Sequence, residues 1–331
     1  MTANNYLKYF SMIKDSIQKA ESILITSHTA PDGDSLGSQL TMYKFIKSLG
    51  KKAAIINQEN IPDMYQFLPN ISLIQDVKKC QDGDRFDLVV IPDCSDIGRI
   101  GEVSAYINDK TDIINIDHHP DNTNFGDINL VNSTASSVGE ILAEMFIEAG
   151  LEIDKETAEL LYTAILTDTG QFRFEATGRR TMEIAGHLIE AGANPRYITD
   201  RVYYSQPLSI FRLTGELVSK AEFYENDRIC LIILHQEALE RFGVTVNDLE
   251  GLAENTMHGR NVIVGALLKE FEDSQVKVSL RSRNGINVSE VAHKFGGGGH
   301  FNASGFTIRA SIETAREKLL SELRGLVNDA V

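Results

Sequence analysis

The sequence predicts an α/β protein of two domains, a mainly parallel sheet flanked by helices and then a smaller mixed α/β domain. Three observations predict it. Short, apolar, β-rich runs alternate with amphipathic helical stretches through the first half, the pattern of parallel strands joined by crossover helices. That rhythm stops across Ala193–Phe211 (ANPRYITDRVYYSQPLSIF), which holds two of the seven prolines. The 331 residues suffice for about two domains at roughly 100 to 200 residues each, with cores that need no disulfide or structural metal. The expected division is 1–192, a connection over 193–220, and 221–331.

The elements follow in order. Ser22–Ser27, Lys52–Asn57, Asp87–Ile91 and Asp112–Ile116 are short and mostly apolar, as in a sheet buried on both faces. Ser35–Leu49 aligns Leu36, Leu40, Tyr43 and Leu49 near one helical face and stops at Gly50; Ala135–Ala149 repeats that design and stops at Gly150. Lys155–Thr167 follows Asp154 as N-cap, turns Leu160, Leu161, Ala164 and Ile165 inward, and runs directly into Asp168. In the second domain, strands are expected over Asp227–Leu234, Asn261–Glu270, Gln275–Leu280 and Ser304–Arg309. Helices are expected near Asn247–Glu254, Val288–Phe295 and Ile312–Asn328.

With 32 Lys+Arg against 47 Asp+Glu, the formal charge is −15. Such a surface repels phosphate backbones and anionic lipid, which excludes coating of duplex nucleic acid and leaves any anionic ligand dependent on a local positive device. Cys80, Cys94 and Cys230 are odd in number, distant and form no CxxC pair, which fits a reducing compartment. No basic n-region precedes an apolar core, and no apolar run approaches the ~18 residues of a membrane span. The expected location is cytoplasmic, with no membrane partner.

Four segments set carboxylates or imidazoles at the ends of expected strands or of a helix, where open parallel sheets bind ligands. They are His28-Thr-Ala-Pro-Asp32-Gly-Asp34 after SILITS, Asp93 after DLVVIP, Asp117-His118-His119 after DIINI, and Asp168 in TDTGQF. Any one of these aspartates alone reads as a cap or turn residue, and paired histidines alone read as surface. Their convergence on strand ends points to a site. A donor set of histidine and carboxylate without thiol suits Mn²⁺ or Mg²⁺ better than structural zinc. Cys94 reads as a small buried residue rather than a ligand.

The order H-x-x-x-D-x-D, D, D-H-H, D over residues 28 to 168 resembles the four motifs of the DHH phosphoesterase superfamily. Arg281 with Gly296-Gly-Gly-Gly-His300-Phe-Asn302-Ala-Ser304 resembles the GGGH motif of the DHHA1 substrate domain. Length and layout are similar to the oligoribonuclease/pAp phosphatase (nanoRNase) branch. The resemblance implies two divalent ions, Mn²⁺ first with Mg²⁺ or Co²⁺ as alternatives. One would be held by His28, Asp32 and Asp93, the other by Asp34, Asp93, His118 and Asp168. Asp117 would orient a histidine, and His119 would face the substrate phosphate. Arg281, Gly297, Gly298, Gly299, His300, Asn302 and Ser304 would bind substrate, and the chain would form a homodimer.

Independently of the family, Val276–Ala310 carries Lys277, Arg281, Arg283, Lys294 and Arg309 against Glu290 alone, a positive strip in an acidic chain. Arginine can grip phosphate in bidentate fashion, and glycine backbone amides can approach its oxygens. With no Trp, base stacking would fall to Phe172, Phe174, Tyr203 or Tyr204, which read equally as packing residues; Arg173, Arg179 and Arg180 could add phosphate contacts. The leading reading is hydrolysis of short single-stranded oligoribonucleotides (2–5 nt) to mononucleotides and of pAp to AMP. Phosphodiesterase action on cyclic or linear dinucleotides (c-di-AMP or pApA type) uses the same site and stays open. A manganese-dependent pyrophosphatase lacks support, because SLRSR stands where a lysine-rich signature belongs. Long-strand exonucleases carry further domains. A binding module with a dead site is disfavoured, since every motif position is filled.

Overall fold

The computed structural model describes residues 1–58, 60–80, 85–245, 249, 251–271 and 274–328. The chain divides into two compact units, Met1–Ser205 and Gln206–Val331. The boundary falls inside the stretch expected to connect the domains, and that stretch carries two helices, Pro195–Tyr203 and Leu208–Ser219.

The first unit is built on a six-stranded sheet in the order β3-β2-β1-β4-β5-β6, with every neighbouring pair parallel. Its strands are β1 (Ile23–Ile25), β2 (Ala53–Asn57), β3 (Ile74–Asp76), β4 (Leu88–Pro92), β5 (Asp112–Asp117) and β6 (Ile128–Val131). The chain works outward from β1 through β2 to β3, then returns to the other side of β1 as β4. The order therefore reverses between β1 and β4, and their carboxyl ends border the crevice where open α/β sheets bind ligands. Strand β4 is buried throughout, so its residues are apolar without alternation. The sequence pattern misses β3 and β6, edge strands of three and four residues that are too short to show a period.

Helix α1 (Ala3–Lys19) is also unanticipated; it buries Tyr6, Ile13 and Ile17. Helix α2 (Gly33–Ser48) begins earlier than expected because Asp32 and Ser35 form a capping box, Ser35 N donating to Asp32 Oδ1 (3.0 Å) and Asp32 N donating to Ser35 Oγ (2.9 Å). Helix α3 (Val138–Glu148) begins later than expected, where Ser137 accepts from Glu140 N at 3.0 Å. Helix α4 (Lys155–Asp168) is capped by Asp154, which accepts from Thr157 N at 2.8 Å, as expected. Helices α2 and α4 pack at close range, since a Cβ on Gly37 would stand 2.6 Å from Leu160 O. Helix α5 (Arg179–Glu190), then α6 (Pro195–Tyr203) complete the unit.

The second unit opens with α7 (Leu208–Ser219) and carries a mixed sheet in the order β11-β12-β10-β9-β8-β7. Its strands are β7 (Glu222–Tyr224), β8 (Ile229–Leu234), β9 (Val264–Phe271), β10 (Gln275–Ser282), β11 (Gly298–His300) and β12 (Ala303–Arg309). Only β8 and β9 pair in parallel; the other pairs are antiparallel. Strand β8 starts after the expected Asp227 because Glu225, Asn226 and Asp227 all take positive φ in the turn from β7. The core includes Leu231, Ala266, Val278 and Leu280 from the sheet with Leu319 and Leu323 from α10 (Ile312–Asn328). Between β8 and β9 lie α8 (Gln236–Phe242) and a 3-10 turn at Leu252–Met257; the helix expected over Asn247–Glu254 falls partly on residues 247, 248 and 250, outside the described residues. Helix α9 (Val288–Lys294) stands close to its expected bounds.

The glycine run forms edge strand β11 from Gly298, paired with β12 in the register Gly298 to Gly305, Gly299 to Ser304 and His300 to Ala303. A Cβ on Gly297 would meet Gly305 O at 2.2 Å, and Gly299 sits at φ +136°, so the strand approaches its partner too closely for side chains. Among the described residues, no helix is long and apolar enough to cross a membrane.

Candidate metal centre

The loop leaving β1 carries His28. Its Nδ1 lies 2.6 Å from the Thr29 carbonyl, which can only accept, so Nδ1 holds the proton and Nε2 is aimed at carboxylates: Asp93 Oδ2 at 3.3 Å and Asp32 Oδ2 at 4.0 Å. Asp32 thus divides its oxygens, Oδ1 capping α2 and Oδ2 facing the imidazole. Burial disfavours charge on His28, but the hydrogen bond and charge of Asp93 and the charge of Asp32 raise its pKa above the ordinary value.

Asp34, in the first turn of α2, has no solvent exposure. Its carboxylate accepts from Val138 N (2.7 Å) and Gly139 N (2.8 Å) at the amino end of α3, and Oδ2 lies 4.0 Å from His118 Nε2. A Cβ on Gly139 would meet Ala164 Cβ at 2.5 Å, so glycine is what admits this approach. Asp93 follows β4 in the left-handed region at φ 55°, with its N–H donating to Ile116 O at 2.9 Å. Asp168, the last residue of α4, puts Oδ2 3.2 Å from His118 Nε2.

These atoms sort into two donor groups. His28, Asp32 and Asp93 each offer a ligand atom within 4.8 Å of the others, and so do Asp34, His118 and Asp168. Asp93 lies toward both: its Oδ2 faces His28, while its Oδ1 is 3.7 Å from His118 Nε2. Crowding shows in the proton affinities. Burial, then the charges of Asp93, Asp168 and Asp32, hold Asp34 well above the carboxylate range despite the Val138 amide. Burial chiefly, opposed by His118, pushes Asp168 up to about 7. Burial works in the same sense on Asp93, but the hydrogen bond and charge of His28, with help from His119 and His118, depress it. Buried acid groups that repel one another while facing imidazole lone pairs are the chemistry of a divalent-cation site, and the residues fit such an ion.

The Asp117-His118-His119 triplet leaves β5. Asp117 is fully buried; its Oδ1 is 2.8 Å from His119 Nδ1 and its Oδ2 accepts from Asn122 Nδ2 at 2.6 Å. Burial opposes charge on His119, yet the Asp117 bond and the charges of Asp93, Asp117 and Asp168 raise it to about 9. Asn122 was not apparent in the sequence. Its amide also donates to Asn115 Oδ1 (2.8 Å) and its Oδ1 accepts from Asn124 N (2.6 Å), which fixes the amide orientation. Cys94 is fully buried, donates to Asp96 O and is pushed up to about 12 by burial, as suits a structural thiol.

In the second unit, Arg281 stands near the end of β10 with Nε 2.5 Å from Glu254 Oε1, a partner sequence reading did not anticipate, and Nη1 donating to Leu280 O. Asn302 is tied to Ser282 through both main-chain and side-chain oxygens. Ser304 is 6% exposed and donates to Val288 O, so its hydroxyl anchors α9. Gly297, Gly298, Gly299 and His300 lie before and along β11. Of the stacking candidates, Phe172 and Tyr203 pack against the core, while Phe174 and Tyr204 are exposed. Arg179 is paired with Glu183 and Arg180 doubly with Glu144, so both are surface ion pairs; Arg173 donates to Gly170 O.

A parallel sheet with this donor set at its switch point defines an α/β protein with a divalent-cation crevice. Residues 22–165 match the "DHH family, N-terminal domain" and residues 230–329 the "DHHA1 domain". The chain is 31% identical over 322 residues to the "Bifunctional oligoribonuclease and PAP phosphatase NrnA" of Thermus thermophilus, covering 96% of this chain and 94% of that protein. It is 27% identical to the protein of the same name in Bacillus subtilis, covering 95% and 97%. An "exopolyphosphatase-related protein" from Bacteroides fragilis superposes with a TM-score of 0.88 at 28% identity, over 96% of each chain. The chain belongs to the DHH family of phosphoesterases.

Proposed function

We propose that this phosphoesterase hydrolyses short oligoribonucleotides of about two to five nucleotides to mononucleotides and removes the 3′-phosphate of pAp to give AMP. The observation that carries the reading is the division of Asp93, one oxygen toward the His28 group and one toward the His118 group. The relatives named for oligoribonuclease and PAP phosphatase activity supply the substrate class. In this reading His28, Asp32 and Asp93 hold one cation and Asp34, Asp93, His118 and Asp168 a second, with Mn²⁺ preferred to Mg²⁺ or Co²⁺. Bound there, two divalent ions supply a water activated near neutral pH and charge to stabilise the attacking and leaving oxygens. Asp117 fixes His119 through Nδ1, and His119 Nε2 meets a phosphate oxygen. Arg281, held by Glu254, and the backbone of Gly297–His300 bind the substrate from the second domain, with Asn302 and Ser304 shaping that hairpin. The protein acts in the cytoplasm as a homodimer on single strands.

The test is a hydrolysis panel with metal-stripped protein reloaded with Mn²⁺, Mg²⁺ or Co²⁺, offered pyrophosphate, pAp, linear and cyclic dinucleotides, and a 5-mer and 24-mer RNA. Turnover of the dinucleotide, 5-mer and pAp with Mn²⁺ is expected; a preference for pyrophosphate or for the 24-mer overturns the reading. Asp93→Ala should abolish turnover of all of them.

A further inference from the structure

The acidic first unit needs a cation that can meet a phosphate, and Arg99 is placed for it. Arg99 is exposed and lies in the 3-10 segment Ile97–Tyr106 that follows Asp93. Its carbonyl accepts from Thr29 N at 2.8 Å and its N–H donates to Asp96 O at 3.0 Å, so the backbone is tied to the residue next to His28. Asp96 in turn caps the segment, accepting from Gly98 N at 2.8 Å. The guanidinium Nη1 lies 3.4 Å from Ser95 Oγ, two residues past Asp93, and its charge acts on both His28 and Cys94.

Arg179, Arg180 and Arg196 each form an ion pair with a carboxylate, which spends their charge on the surface. Arg99 forms no ion pair with a carboxylate among the described residues, although the chain carries 47 acidic residues. Arg85, Arg173 and Arg201 likewise have no carboxylate partner among the described residues, but it is Arg99 whose backbone is bonded to Thr29, beside His28. A long cation left unpaired, with its base anchored to the His28 loop, suits an anion brought by a ligand.

We propose that Arg99 binds a non-scissile phosphate of the substrate: the 5′-phosphate of pAp, or the neighbouring phosphate of a short oligonucleotide. The reacting phosphate faces the carboxylate and imidazole groups, and Arg99 stands beside them, so the charge it meets is the next one along the substrate. The inference rests on the function proposed above and adds a substrate preference, for substrates with a second phosphate over those with one.

The experiment compares the metal-loaded wild type, Arg99→Ala and Arg99→Lys on pAp and on 3′-AMP, which lacks the 5′-phosphate. For Arg99→Ala, kcat/KM on pAp is expected to fall about 10- to 100-fold, mainly through KM, the size of a lost charge-assisted hydrogen bond. That loss should be at least about ten times the loss on 3′-AMP, with Arg99→Lys falling between, at an unchanged thermal midpoint. Equal losses on the two substrates, or no loss on pAp, would overturn the inference. The wild-type arm reports separately on the parent reading: if it hydrolyses neither substrate, pAp phosphatase activity fails and the inference goes with it.

Discussion

Asp117 and His119 are joined by a 2.8 Å contact between Oδ1 and Nδ1, and the other carboxylate oxygen is taken by Asn122 at 2.6 Å. The order of these bonds fixes the imidazole. Asn122 is itself fixed, because its Oδ1 accepts from a main-chain N–H and its Nδ2 must then donate to Asp117. Removing it leaves Asp117 free to rotate and His119 without a defined direction. Asn122→Ala should lower kcat by about 10- to 100-fold, the usual cost of losing a partner that orients a site residue, with KM within a few-fold of wild type. Steady-state kinetics beside a cation titration check this. A rise in the dissociation constant for Mn²⁺ equal to the activity loss would make Asn122 a support of the cation site instead.

Asp93 sits on a backbone that ordinary residues avoid. At φ 55° it occupies the left-handed region, which costs a non-glycine residue about 1 to 2 kcal/mol and is tolerated best by Asn and Asp. Strain and charge can be separated by comparing two substitutions that both delete the carboxylate. Asp93→Ala and Asp93→Gly should be equally inactive, while Asp93→Gly should be the more stable by about 1 kcal/mol in urea unfolding. Equal stability would mean that the conformation costs nothing here.

The reasons some features could be read in the sequence, and others not, are physical. Asp93 and His118 directly follow strands, His28 lies in the loop leaving β1, Asp32 and Asp34 cap and open α2, and Asp168 ends α4, and in a parallel sheet all strand ends of one sense point the same way. Their convergence needed only the strands to be identified. Asn122 reaches Asp117 through an irregular turn, and Glu254 reaches Arg281 from a 3-10 segment, so neither contact leaves a periodic trace. The strand made by the glycine run leaves no trace for a related reason: composition does not show that Gly297 and Gly299 let this segment lie against β12 without a Cβ.

Helix α2, which carries Asp34, meets α4, which carries Asp168, through glycine. A methyl on Gly37 would lie 2.6 Å from Leu160 O, a backbone atom that cannot turn aside, and 3.3 Å from Ala164 Cβ. Gly37→Ala must therefore push the helices apart, and overpacking of this kind costs about 1 to 3 kcal/mol. The gain in helix propensity, at most about 1 kcal/mol, offsets only part of it. Because Asp34 rides on α2 and Asp168 on α4, the same variant should bind Mn²⁺ more weakly. Calorimetric titration with Mn²⁺ beside a denaturation curve checks both; a variant as stable as wild type would show that the helices can slide without cost.

The acid limb of stability has a specific contributor in Asp87. Its carboxylate accepts from Ser22 N (Oδ1, 2.8 Å) and Glu21 N (Oδ2, 2.8 Å), tying the starts of β1 and β4 together. Slight burial works against ionisation, but these two amides and the Ser22 hydroxyl outweigh it and hold the group below the ordinary carboxylate value. A group whose folded value is depressed adds stability that is full above its unfolded value, near 3.9, and is lost as pH falls through the folded value. Asp87 is exposed, so solvent screening limits the effect to about 1 kcal/mol. Asp87→Ala should therefore unfold at a lower urea concentration than wild type at pH 7, and the gap should narrow as pH is taken below about 3. A gap that stays constant from pH 7 to that range would show that the lost contribution is packing rather than the ionised carboxylate.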